Sequence, residues 1–524
     1  MYDAIIIGAG HNGLVAACYL SMAGKKVLML EKNDYIGGAT TSQQVFPDFE
    51  ARLSRYSYLV SLFPQKIMDE LGLKFNLFPR KIASYTPYDT HKGLIISNVD
   101  ENISKKSILA LGFGESEWQG YQQILQKGTQ FAELVWDSFT EPLKSKSDWE
   151  QYFKAQNQSQ LWREMVEEPI GKLIEKYIES DILRGVILTD GKIGSYTHAH
   201  DESLLQNRTY IYHIVGNKTG EWRVPQGGMG NLANQLIKKA IAIGVEIRLN
   251  SKVLDIQYHA DYQNVNFEND GKVYELKSKK LLFNSSPQSP TLSSPQFSNR
   301  NVEPLITQKV NEGTAFKINM LLEKLPRLKD KNVSSEDAFA GTFHIDESYS
   351  QMQKTFDEAY KGKIPNKLAG EIYCHTLTDK SILSPELQAK GFHTLTYFGL
   401  DLPYSLFIDD NEKAKKEVVA KFLSGINEYL DEPLENCLAK DKNGLLCLEA
   451  KSSLDLEKEL GMPRGNIFHK GLSWFFAENA AENGSFGVET DNPDVLICGS
   501  SAKRGGAVSG ITGRNAAMKF LDLL

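Results

Sequence analysis

The sequence predicts an α/β protein in at least two interleaved parts, and three observations carry that prediction. The first forty residues run strand, glycine turn, helix, strand. The 524 residues exceed what one simple core holds. The stretch 310–450 alternates strand-like and helical segments, which suggests a second sheet covered by helices and separate from the opening unit.

In the opening unit, Tyr2 to Ile7 reads as a buried strand, followed directly by Gly8-Ala9-Gly10-His11-Asn12-Gly13. A helical pattern runs from Leu14 to about Ala23, and a second strand, Val27 to Leu30, ends in Glu31 with Gly37-Gly38 beyond. Each part has a task in holding an adenine dinucleotide. Gly8 allows a sharp turn, Gly10 lets the backbone approach a pyrophosphate, and Gly13 with Ala17 lets the helix sit close to the strands. The helix N-terminus offers N–H groups and partial positive charge to phosphates. Glu31 stands where a carboxylate accepts hydrogen bonds from ribose hydroxyls. A glycine-rich turn alone is weak evidence. Here strand, turn, helix, strand and acid fall in order, which makes the unit Rossmann-type.

Further along, Thr40 to Arg55 is polar and aromatic, and Leu59 to Leu73 is apolar at helical spacing, as in a core-packing helix. Residues 115–188 are mostly helical in pattern. Trp222 to Gly230 is a glycine-rich entry to a helix, Asn231 to Ile243, ended by Gly244. Strands are expected at Val245 to Leu249, Lys252 to Tyr258, Asn264 to Phe267, Val273 to Leu276 and Lys280 to Phe283, with a hairpin turn at Asp270-Gly271. In the 310–450 region the strand-like runs are Ala315 to Leu322, Gly341 to Ile345, Leu368 to Thr376 and Thr394 to Leu400. Finally Val495 to Gly499 reads as a strand leading through a glycine-rich turn to a last helix, Ile511 to Leu523.

Composition narrows the class. Hydrophobic residues make up 41% and charged residues 24%, ordinary values for a soluble globular protein. A formal net charge of −7 argues against a general nucleic-acid binder. The first strand starts at residue 2, leaving no room for a signal peptide in this numbering, and no apolar run reaches transmembrane length. The expected location is cytoplasmic, with room for peripheral membrane contact. The five cysteines, Cys18, Cys374, Cys437, Cys447 and Cys498, form no CxxC, which argues against a redox dithiol or zinc ribbon and suggests a reducing compartment.

Two glycine-rich strand-to-helix turns at opposite ends of the chain suggest a ligand gripped from two sides. The first holds an ADP half; the second presents a helix N-terminus near Gly510-Ile511 to an electron-rich group such as a reduced flavin. A nicotinamide enzyme has no need of the second grip, so the pair favours FAD. No second GxGxxG follows a strand, so no built-in NAD site is expected, and electrons leave to oxygen, a quinone or another carrier.

The opening motif through Glu31 and Gly37-Gly38 resembles that of the phytoene desaturase and flavin amine oxidase superfamily. Pro225 to Gly230 is similar to an internal motif of its carotenoid desaturase branch, Asn284-Ser285-Ser286-Pro287 to that branch's strand-end turn, and Leu496 to Ala517 to its C-terminal FAD motif. Asp190 to Gly194, Gly220-Glu221-Trp222 and Gly465 to His469 bring the chain closest to a subgroup of bacterial phytoene-dehydrogenase-like proteins whose eukaryotic relatives suggest mitochondria. The resemblance implies a glutathione-reductase-like FAD domain (1–75, 215–310 and 490–524) with an inserted α+β substrate domain (76–214 and 311–489). It also implies an apolar cavity leading to the flavin. The candidate cofactor residues are Gly8, Gly10, Gly13, Glu31, Lys32, Gly37, Gly38, Ala39, Thr40, Val253, Gly499, Gly506, Gly510 and Ile511. No metal is expected.

The C-terminal turn departs from the family's Thr-His-Pro-Gly-Gly-Gly, reading Ser501-Ala502-Lys503-Arg504-Gly505-Gly506-Ala507. Lys503 or Arg504 is a candidate positive charge near the flavin, with a solvated loop pair as the alternative. Candidate bases are His198, His200 and His469; the first two share a face if their segment is a strand. Arg52, Arg55 and Tyr56 follow the flavin-side loop, where they line a substrate entrance or simply pack. The expected activity is oxidation or desaturation of a hydrophobic small molecule. A binding or regulatory flavoprotein and a flavin-dependent isomerase remain the alternatives.

Overall fold

The computed structural model describes residues 1–286 and 312–521. Pro287 of the strand-end turn, the expected domain boundary at 310–311 and the last helical residues 522–523 lie outside the described residues.

The first sheet is centred on Tyr2–Ile7, which pairs in parallel with Val27–Leu30 on one side and with Lys272–Phe283 on the other. Ala4, Ile5 and Ile6 are fully buried because helices and strands cover both faces, which explains the unbroken apolar run. Glu246–Arg248 extends the sheet beyond Val27–Leu30, and Val495–Ile497 pairs with Lys272–Phe283. Where the sequence suggests two short strands within 273–283, the structure has one of twelve residues. Its first half pairs with the antiparallel strand Gln263–Asn269, its second half with Tyr2–Ile7, and Ser278 has a partner on both sides. A polar hairpin thus runs straight into the buried parallel layer. The hairpin turns at Asp270 and Gly271, both at positive φ, as a two-residue turn requires.

Helix His11–Met22 is buried along nearly its whole length between the sheet, helix Met229–Ala242 and the last helix, Ile511–Leu521. The expected helix over Leu59 to Leu73 is shortened to Gln65–Leu71. Pro64 sits at its N-cap, and Val60 exchanges backbone hydrogen bonds of 3.0 Å with Arg223 instead of continuing a helix.

The second sheet joins the hairpin Ile82–Asp89 and Lys92–Ser97 to Thr342–Ile345, Gly370–Tyr373, His393–Gly399, Phe316–Leu322 and Leu448–Lys451. The helices between Glu115 and Ile214 pack against it, led by Glu115–Val135, Asp181–Leu188 and Leu205–Ile214. Lys192 rivets this layer. Its Nζ, fully enclosed, meets Asp401 at 2.9 Å and donates to the Thr197 carbonyl at 2.6 Å. All five cysteines are buried and unbridged. No helix among the described residues is long and apolar enough to cross a membrane.

Candidate functional site

One cavity of about 980 Å³ runs from the glycine turn at the end of Tyr2–Ile7 to an aromatic chamber between the helical layer and the second sheet. At the turn, Gly8 adopts φ +94°, and a Cβ on Gly10 would lie 2.9 Å from Asn284 Nδ2. Asn284 in turn donates from Nδ2 to the Gly8 carbonyl at 3.2 Å, so the strand-end turn braces the glycine turn. No side chain caps helix His11–Met22, and Gly8, Gly10, His11 and Asn12 line the cavity at its start. A helix N-terminus of that kind receives phosphate oxygens.

Glu31 closes the second strand. Its carboxylate accepts from the Ala9 N–H at 2.8 Å and the Asn33 N–H at 3.0 Å. Burial raises its pKa while these N–H groups oppose the shift. Lys32, Gly37, Gly38, Ala39 and Val253 line the same end of the cavity, and the Gly37 N–H donates to the Ala9 carbonyl at 2.9 Å. From the C-terminal turn come Ser500, Gly506, Ala507 and Val508. Gly506 sits at φ +105° with the Phe468 ring 2.8 Å from where a Cβ would be.

Dinucleotide fit is supported by polar atoms without partners among the described residues. Asn12 Oδ1, Ser285 Oγ and His469 Nδ1 all belong to lining residues and have no hydrogen bond. The residues present therefore suit a phosphate- and hydroxyl-rich ligand at this end.

Five expected cofactor residues stand behind the wall. A Cβ on Gly13 would come within 2.7 Å of the Gly8 carbonyl, so its glycine serves helix–turn packing. Thr40 Oγ1 lies 3.0 Å from His11 Nδ1, and Gly499 abuts the Asn284 carbonyl. Gly510 packs on Val15 and Phe63, and the Ile511 N–H bonds Ser509 Oγ at 3.2 Å. The last helix meets the first, Gly513 against the Asn12 carbonyl, so what reaches the cavity is the loop before that helix.

His11, which sequence reasoning passed over, ties the two turns together. Its Nε2 lies 3.0 Å from the Ala507 carbonyl and its Nδ1 faces Thr40. Burial lowers its pKa to about 4, so the ring is neutral. These partners assign the donor hydrogen to Nε2, and Nδ1 accepts from the Thr40 hydroxyl.

The catalytic candidates separate. His469 lines the cavity, at φ +64°, with a pKa lowered to about 4 by burial and then by His11. His198 and His200 lie off the cavity, and their segment is a turn instead of a strand, so the shared face does not arise. His198 packs on Phe356 with ring centroids 5.0 Å apart, and His200 pairs with Glu175 at 2.8 Å near the surface. Lys503 is buried in ion pairs with Glu478, at 2.7 Å, and Glu482. Arg504 donates to the carbonyls of Ser138 at 2.5 Å, Glu141 at 2.8 Å and Phe486 at 3.0 Å. Both cations are structural braces off the cavity lining, neither solvated nor facing the ligand space. Tyr56 lines the cavity and donates to Glu459 at 2.6 Å, whereas Arg55 pairs with Glu449 at 2.5 Å and Arg52 is exposed.

Apart from Asp190 and Trp222, which fall in the subgroup's motifs, the far chamber holds residues that no motif announces. Trp118, Tyr121, Tyr210, Tyr212, Trp222 and Phe398 give it aromatic walls, while Arg80, Asp190, Lys317, His344, Glu371 and Tyr373 give it ionisable groups. Lys317 Nζ donates to the carbonyls of Ser54 at 2.6 Å and Tyr56 at 2.8 Å, and burial lowers its pKa to about 7. A neutral amine has two N–H bonds and one lone pair. Both N–H bonds are spoken for, so the lone pair is free to take a proton.

The fold and this turn define a mixed α/β protein with a Rossmann-like dinucleotide-binding domain. Residues 6–69 match the NAD(P)-binding Rossmann-like domain family. An uncharacterized protein of Mycobacterium bovis is 38% identical over 100% of this chain and 97% of its own length. Pyridine nucleotide-disulfide oxidoreductase domain-containing protein 2 of Mus musculus is 28% identical, covering 100% of this chain and 94% of its own. A lycopene-forming phytoene desaturase of Pantoea ananas is 26% identical over 48% of this chain and 50% of its own. Among solved structures, putrescine oxidase bound to putrescine superposes with a TM-score of 0.57 at 16% identity, covering 100% of this chain and 98% of its own. The chain belongs to one family with the Mycobacterium bovis protein and is close to pyridine nucleotide-disulfide oxidoreductase domain-containing protein 2; it is similar to a phytoene desaturase over about half its length and shares a fold with putrescine oxidase.

Proposed function

We propose that the chain is an FAD-dependent oxidoreductase that oxidises or desaturates a hydrophobic small molecule. The carrying observation is the continuity of the cavity: the dinucleotide turn and the aromatic chamber share one space of about 980 Å³. When bound, the flavin supplies a hydride acceptor at its N5. Segments within 1–75, 215–310 and 490–524 hold the cofactor in this reading, and 76–214 and 311–489 hold the substrate.

The chain's own residues have three tasks. Gly8, Gly10 and the uncapped helix at His11 hold the pyrophosphate, and Glu31 holds the ribose. The aromatic chamber excludes water and orients the apolar body of the substrate. Lys317, near neutral at physiological pH, takes the proton the substrate gives up as it is oxidised. Electrons then pass to oxygen or a quinone-like acceptor.

Purified protein is expected to carry a visible flavin absorbance, and that absorbance is expected to bleach anaerobically with a lipid-like or otherwise apolar substrate. Timing reoxidation by air against a quinone separates oxidase from dehydrogenase. A colourless preparation that also fails to take up added FAD would overturn the reading.

A further inference from the structure

In the second sheet, His344 on strand Thr342–Ile345 stands directly opposite Glu371 on the antiparallel strand Gly370–Tyr373. The chain then turns at Asp346, held at φ +51°, and this returns Glu347 to the same side. His344 Nε2 lies 3.8 Å from Glu347 Oε2 and 3.9 Å from Glu371 Oε1. One ligand atom from each of the three lies within 4.8 Å of the others, and each side chain is 4% exposed or less.

Three further features point this cluster at a ligand. The Thr86 hydroxyl lies 2.9 Å from His344 Nδ1, which fixes the ring and leaves Nε2 to face the two carboxylates. That is how a metal-ligating imidazole is held from behind. Glu347 is fully buried, yet neither of its oxygens has a well-formed hydrogen bond among the described residues, a costly arrangement for a carboxylate with nothing to bind. The nearby cations are committed elsewhere. Arg80 donates to the Trp222 carbonyl and Thr342 Oγ1, and Lys192 pairs with Asp401. Among the described residues, no lysine or arginine forms an ion pair with Glu347 or Glu371 where they converge with the imidazole nitrogen.

We propose that His344, Glu347 and Glu371 bind one divalent first-row transition ion, of the Zn²⁺ or Mn²⁺ class. One imidazole and two carboxylates form the mixed nitrogen–oxygen set that such ions take. Bonds of about 2.0–2.2 Å place paired ligand atoms up to about 4 Å apart, which the imidazole-to-carboxylate spacings meet. His344 and Glu371 also line the chamber, so an oxygen donor on a bound molecule can complete the coordination. The site lies in the second sheet, away from the glycine turn, and does not depend on the flavin reading.

The test uses the full chain as purified, stripped with EDTA and then dialysed against ZnCl₂ or, separately, MnCl₂. Elemental analysis after gel filtration is expected to find about one bound ion per chain, with a raised Tm on reloading. The isosteric Glu347→Gln variant should lose the retained ion while keeping its flavin-to-protein ratio and cooperative unfolding. Thr86→Val, which touches no ligand atom of the proposed set, should weaken the ion about 10–100-fold. Wild-type protein that retains no stoichiometric Zn²⁺ or Mn²⁺ overturns the proposal. So does equal retention by the wild type and folded Glu347→Gln, since the ion then sits elsewhere.

Discussion

The two ends of the cavity are built by opposite means. At the dinucleotide end the backbone does the work: Gly8 and Gly506 at positive φ, an uncapped helix start, and N–H groups from Ala9 and Asn33 that fix Glu31. At the chamber end side chains from widely separated stretches of chain converge, from Arg80 to Phe398, and several ionisable groups sit far from their ordinary protonation behaviour. Burial lifts Asp190 to about 7 and lowers His213 to about 4. A backbone-built site reads a chemical class shared by many proteins, here a dinucleotide. A side-chain-built site is free to differ between relatives, and in the proposed function substrate choice belongs there.

The sharpest way to break the first end is a side chain where only hydrogen fits. Gly13→Val would press on the Gly8 carbonyl, 2.7 Å from the new Cβ, and Gly10→Val on Asn284. Both are expected to abolish flavin retention, read as the visible absorbance per protein; stoichiometric flavin in both variants would contradict the assigned turn. Next in size is Lys192→Met, which strands Asp401 in the interior and should cost about 3–5 kcal/mol by urea unfolding. The double variant with Asp401→Asn should recover part of that loss.

Lys317→Met tests the chamber's chemistry. It is expected to slow substrate-dependent flavin reduction about 10²–10⁴-fold. In the wild type that rate should rise with pH through about 7, as the amine loses its proton, and the rise should vanish in the variant. Linkage has the same sign. The unfolded chain holds the Lys317 proton to higher pH than the folded one, so wild-type stability gains on the variant from about pH 7 upward until the unfolded lysine also titrates. Glu449 opposes the shift, and the Tyr58 ring lies 5.1 Å below Nζ. The smallest effects are expected off the cavity. His200→Ala, half-exposed, should change stability by no more than about 0.5 kcal/mol. His198→Ala, losing its contact with Phe356, should cost about 1 kcal/mol. Neither should alter turnover.

The first end was legible because its geometry is local. Gly8 to Gly13, Glu31 and Gly37-Gly38 lie within forty residues of one another, and each follows from the conformation its neighbours demand. Lys503 and Arg504 show the limit of that reasoning. Their place beside a glycine turn suggested charge at the ligand, but the carboxylates of Glu478 and Glu482 and three loop carbonyls claimed them first. His198 and His200 likewise looked paired only on the assumption of a strand.

The sequence by itself determined the α/β class, the dinucleotide turn and the family, because periodicity, glycine placement and a terminal acid are short-range signals. Only the tertiary structure decided what the chamber contains. Lys317, His344 and Glu371 come from three strands that meet across a sheet, and His11 couples to Ala507 across nearly the whole chain. Their chemistry follows from burial and from which donors and acceptors remain unclaimed. Both are properties of packing between distant segments, which no stretch of sequence carries alone.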